Sequence, residues 1–283
     1  MCPADQPPDD HDLDSAARSA SAAEEEARAA TDRLVRELVL YNGPTLPPLA
    51  VMRIHRIGED AADSLIAVLS DSKLRDPRGP AGGWGPVHAA RLLGELCPER
   101  AVEPLLDTLA TADPLTPLQL TISLALGPLG PPLVAPILAR LPTAIGAYRR
   151  ELFCLLAGSR VRDPRVFAQL LALLAESPED GAMHLAEYGD PEAIADLSRV
   201  LSAYQIGPAE DTRGNHLVFE LREAIEELGG TLTPEQEAKY QAAWWGRRVE
   251  VSARDQALAA EPPRPDDPCP CRSGRRYKNC CLH

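Results

Sequence analysis

DAADSLIAVL (60–69), RAVEPLLDTL (100–109), PLVAPILARL (132–141), VFAQLLALL (166–174) and EAIADLSRVL (192–201) decide the fold. Each segment ends on a leucine (Leu69, Leu109, Leu141, Leu174, Leu201). An apolar anchor lies four residues earlier, at Leu65, Leu105, Ile137, Leu170 and Leu197. Spacing of four puts both residues on one helix face. Successive anchors are 40, 32, 33 and 27 residues apart. An irregular period of about 30–40 residues is the mark of stacked helical repeats.

The segments between them agree. HAARLLGEL (88–96), SLALGPLG (123–130), LFCLLAG (152–158) and MHLAEYGD (183–190) read as apolar helix ends stopped by glycine, which enters the left-handed region without strain. Asp163-Pro164 and Asp190-Pro191 supply an N-cap acceptor and a fixed φ for the next helix. Each unit is therefore helix, tight turn, helix. One pair cannot bury its own apolar stripe, so neighbours must stack. The expected fold is all-α, an α-solenoid over residues 32–211. The stretch LRDPRGPAGGWGP (74–86) lengthens the first interval and is expected to project as a loop. Over residues 50–202 this pattern resembles the short HEAT-like repeats.

On either side the composition changes. Residues 1–31 are acidic and poor in large apolar side chains, so a disordered arm is expected, with helix in its Ala/Glu-rich part. Residues 212–251 read as a helical cap. Leu217, Leu221, Ile225 and Leu228 form one face, and Thr233 to Gln236 form a capping box. Trp244 and Trp245 are expected to seal the end of the array. Residues 252–267 are rich in Pro and Asp and read as a linker.

The chain has 283 residues and a formal charge of -13, which argues against nucleic-acid binding over its whole surface. No apolar run reaches the roughly 18 residues of a membrane span. No basic-then-apolar leader opens the chain. A cytoplasmic protein is expected. In that compartment thiols stay reduced, so clustered cysteines point to a metal before disulfides.

Four of the seven cysteines fall within thirteen residues: Cys269, Cys271, Cys280 and Cys281. The spacing is C-x-C, eight residues, then C-C. Two close pairs joined by a loop containing Ser273-Gly274 can converge tetrahedrally on one ion, the arrangement zinc takes in closed structural sites. So short a segment has almost no core, and the metal must supply most of its folding free energy, about 10 kcal/mol or more. One structural Zn2+ is expected, with iron as the alternative ion and His283 as an alternative to Cys281.

This stretch is similar to the SEC-C motif, a short metal-binding tail of the preprotein translocase motor ATPase. Pro268, Pro270, Ser273, Gly274 and Tyr277 match as well as the cysteines, whereas Arg272 stands where the family usually has glycine. The resemblance implies a docking tail. Arg272, Arg275, Arg276 and Lys278 lie between the ligand pairs and are the docking candidates, for an acidic protein, RNA phosphate or an anionic headgroup.

Elsewhere no catalytic set emerges. His55, His88, His184 and His216 read as helix-face or core residues, and Cys97 and Cys154 as buried structural thiols. Gly79, Gly82, Gly83 and Gly85 lack the strand and Gly-Lys-Ser/Thr of a phosphate loop. Glu223, Glu226 and Glu227 read as a solvated helix face. The expected role is therefore an adaptor or scaffold that binds protein partners on the body and through the zinc tail. Two rivals stand beside it: an enzyme on a repeat body, of lyase or nucleic-acid repair type, and a factor associated with RNA or the ribosome through its basic tail.

Overall fold

The computed structural model describes residues 10–96, 98–207, 212–244, 264, 266 and 275–279. Among these it is all-helical, without a β-strand. The chain divides into two compact units, residues 1–168 and 169–283.

In the first unit, α1 (Asp10–Val39) is followed by α2 (Pro48–Ile57), α3 (Ala62–Ser70), α4 (Gly85–Leu96) and α5 (Val102–Thr111). Next come α6 (Pro117–Leu126), α7 (Val134–Arg140), α8 (Gly146–Ser159) and the first part of α9 (Pro164–Glu176). Contacts run in two rows. Helices α3, α5 and α7 touch in succession, as do α4, α6 and α8, and α3·α4, α5·α6 and α7·α8 join the rows. All ten anchor and end residues read from the sequence are buried, from Leu65 to Leu201. The period of four therefore selected core positions.

One regularity escaped the sequence reading. A short 3-10 turn leads into α3, α5 and α7: Gly58–Ala61, Glu99–Ala101 and Pro131–Leu133. The last residue of each turn (Ala61, Ala101, Leu133) is wholly buried. Ion pairs tie this row together, and one links it to α1. Asp63 receives Arg28 and Arg100, the latter at 3.0 Å, and Arg140 meets Glu103 and, at 2.7 Å, Asp107.

Four expectations need correction. Helix α1 starts at Asp10, so within the arm it reaches beyond the Ala/Glu-rich part where helix was expected; its buried residues Val35 and Val39 lie past the arm. Loop 74–86 does not simply project: Leu74 is buried, and Gly82 lies so close to Asn42 that a Cβ would meet its Oδ1 at 2.4 Å. Glycine-stopped ends hold at Gly130 (φ 61°) and Gly189 (φ 73°), but Gly94 and Gly158 lie inside α4 and α8. At the end of α8 the left-handed residue is Arg160, held where the Val161 amide meets the Ser159 hydroxyl at 3.4 Å. Cys154 is exposed, because α8 buries Leu152, Phe153, Leu155, Leu156 and Ala157 on its other side. Cys97 lies outside the described residues.

In the second unit, α10 (Pro178–Tyr188) and α11 (Ile194–Ala203) both pack on α12 (Thr212–Glu227). The expected apolar face of α12 is buried at Leu217, Leu221, Ile225 and Leu228. A further helix, α13 (residues 234–244), starts at the expected capping box: the Thr233 amide donates to Gln236 Oε1 at 2.9 Å, and the Gln236 amide to Thr233 Oγ1 at 3.3 Å. Lys239 then donates to three carbonyls closing α11, those of Leu201 (3.2 Å), Ser202 and Tyr204 (2.8 Å). Trp244 is 40% exposed and packs its ring against Phe219 and Tyr240, each centroid 6.3 Å away. Trp245 lies outside the described residues.

Candidate metal centre and its basic loop

Cys269, Cys271, Cys280 and Cys281 all lie outside the described residues, as do Arg272 and His283. The described part of the tail is the loop that separates the two cysteine pairs. There, Tyr277–Asn279 forms one 3-10 turn, closed by the Asn279 amide donating to the Arg276 carbonyl at 2.9 Å. A single tight turn shortens the eight-residue span between the pairs, which convergence on one ion requires. Four cysteines at this spacing, with Ser273-Gly274 between them for the reversal, are a donor set of the kind closed structural zinc sites use.

Arg275, Arg276 and Lys278 are exposed, as a docking surface needs. Two of them already have an internal counter-ion. Asp266 accepts from Lys278 Nζ at 2.6 Å and from Arg276 at 3.0 Å. These contacts hold the Asp266 carboxyl below the usual carboxylate range, Lys278 contributing most. Sequence reading had placed Asp266 in the linker and missed this role. The available signal was the acidic pair Asp266-Asp267 directly before Pro268-Cys269.

No group of three or more His, Cys, Asp or Glu side chains placed to hold a metal ion occurs among the described residues. His55 pairs with Glu95 at 2.8 Å, and His216 lies 3.4 Å from Glu220. His88 and His184 are buried, and burial pushes both below the ordinary histidine value. Glu223, Glu226 and Glu227 are exposed on α12, and Arg222 pairs with Glu226 at 2.9 Å. Among the described residues no single helix is long and apolar enough to cross a membrane.

The SEC-C motif family model matches residues 267–282, which include all four cysteines and the basic loop. The chain is also similar to the uncharacterized protein YecA of Escherichia coli (strain K12), and to the protein of the same name from Shigella flexneri. Each is 43% identical over 42 residues, 15% of this chain and 19% of the relative. The likeness is thus local, and the chain spans under a fifth of these relatives' length. No solved structure matches the chain significantly.

Proposed function

We propose that the protein is a cytoplasmic helical-repeat adaptor of HEAT-like type, whose C-terminal tail holds one structural zinc ion and docks on an anionic surface. The observation that carries this reading is the SEC-C match over residues 267–282, with a cysteine at each of its four ligand places. Cys269, Cys271, Cys280 and Cys281 would be the ligands, and Arg272, Arg275, Arg276 and Lys278 the docking cations. With all four coordination positions taken by protein, the ion's work is to fold the tail.

Support for the repeat body comes from the two rows of helices in the first unit and from the buried five-fold Leu pattern. Arrays of this kind bind proteins on extended helix surfaces. A tethered tail then raises the local concentration of the second contact without enlarging the first.

The test is elemental mass spectrometry on full-length protein purified without a metal-affinity tag. About one zinc per chain is expected. The Cys269→Ser/Cys280→Ser variant should lose it while keeping its helical circular dichroism. Metal-free protein after reduction, or a variant that retains zinc, would overturn the proposal.

A further inference from the structure

The first unit contains an open cavity of about 400 Å³ outside the zinc tail, within the roughly 300–1,000 Å³ range of small-molecule sites. Loop 74–86 forms one wall with Arg75, Pro77 and Trp84, and the start of α6 forms another with Thr116 and Leu118. Trp84 is a fixed platform. It caps α4 through its carbonyl, which accepts from the His88 amide at 2.9 Å, and its ring stacks on His88 with centroids 6.3 Å apart.

Arg75 is the unusual member. Its Nη1 donates to Thr111 Oγ1 at 3.0 Å. Its Nε is buried and has no hydrogen-bond partner, and no carboxylate pairs with the guanidinium among the described residues. A buried donor without an acceptor costs about 1–3 kcal/mol. Neither neighbouring hydroxyl accepts from it: Thr111 Oγ1 accepts from Nη1 instead, and Thr116 Oγ1 donates to the Asp113 carbonyl. With Nη1 engaged by Thr111 and Nε buried, Nη2 is the guanidinium nitrogen left to donate to a carboxylate at the cavity wall.

We infer that this cavity binds a small aromatic monocarboxylate, with the carboxylate on Arg75 and the ring against Trp84. The exposed Asp113 on the rim repels a dianion such as phosphate more strongly than a single negative charge. The inference uses no part of the zinc tail, so either can fail alone.

The test uses the full chain carrying Trp244→Phe and Trp245→Phe, which leaves Trp84 as the sole tryptophan. Fluorescence is titrated with phenylacetate and with its neutral analogue phenylacetamide. Phenylacetate should saturate with a dissociation constant of about 1 mM or tighter, reasonable for a ligand of about ten heavy atoms. Phenylacetamide should bind at least tenfold more weakly, and Arg75→Gln should erase the difference. Should Arg75→Gln disturb the fold, the shift of the Trp84 indole N–H signal in the otherwise unaltered protein reads the same comparison. Equal binding of acid and amide, no saturation by the acid, or unchanged binding by a folded Arg75→Gln protein would overturn the inference.

Discussion

Gly94 of α4 lies directly against Ala125 of α6: a β-carbon at position 94 would sit 2.6 Å from Ala125 Cα. Gly181 of α10 stands in the same relation to Leu174 of α9, at 2.2 Å from its Cα. In both cases the obstacle is backbone, which cannot swing aside. Alanine normally gains about 1 kcal/mol over glycine inside a helix. Here the clash exceeds that gain. Gly94→Ala and Gly181→Ala are each expected to destabilise by about 1–3 kcal/mol net. Urea unfolding followed by circular dichroism measures this, and an unchanged or higher midpoint would refute the close approach.

Two buried histidines set a pH dependence. His88 Nε2 lies 2.9 Å from the Gly43 carbonyl, and desolvation outweighs that contact to push His88 below its ordinary value of 6.5. His184 is lowered for the same first cause. A histidine with a depressed folded value binds its proton more readily when unfolded. Its stabilising effect is thus complete above about pH 6.5 and lost as pH falls below it. The melting temperature should drop between pH 7.5 and 5.5. The His88→Gln/His184→Gln variant should show a smaller drop over the same interval.

Gln236 is 2% exposed, and its amide nitrogen donates to the Ser198 carbonyl at 3.0 Å and to Ser202 Oγ at 2.9 Å. Gln236→Glu keeps the oxygen that caps α13 but removes both donors and introduces a buried charge. A loss of about 2–4 kcal/mol is expected, with the larger part at neutral pH. Gln236→Leu, which removes the polar group cleanly, should cost less at pH 7.5. Denaturant midpoints at pH 5 and 7.5 test both.

Arg140 joins α7 to Glu103 and Asp107 of α5, and its side chain is only 21% exposed. The acids remain mostly in water, so screening limits the gain. Arg140→Ala should cost about 1 kcal/mol at low salt, and less in 1 M NaCl. A loss that does not change with salt would assign the effect to packing of the aliphatic stem.

Asp266 occupies two of the cations proposed to dock on an anionic surface. Asp266→Ala frees Arg276 and Lys278. Retention of full-length protein on a heparin column should therefore rise, with a steeper salt dependence by about two ions. Zinc content should not change. Weaker retention would mean that Asp266 shapes the loop that binds and does not compete with the ligand.

Sequence periodicity was enough to find the helical body. Leu65, Leu105, Ile137, Leu170 and Leu197 are all buried because spacing of four on a helix is a local rule, and only helices packed on one another can bury such stripes. The capping box at Thr233 and Gln236, the Asp-Pro starts at Asp163 and Asp190, and the spacing of Cys269, Cys271, Cys280 and Cys281 are local in the same way. Each rests on neighbours within a turn or a short loop. What the tertiary structure decided was every relation between residues distant in the chain. Gly94 looked like a helix stop and proved to be a contact with Ala125, because a glycine's role depends on what faces it. Cys154 looked buried and is exposed, because successive residues of α8 point about 100° apart and part of the helix surface faces solvent. Arg75 gained meaning only when the fold set it beside Trp84 and Thr111, and Asp266 only when the loop brought Arg276 and Lys278 to it. Local propensity writes helices and turns into the sequence, whereas long-range packing and charge depend on three-dimensional proximity that no short window of sequence contains.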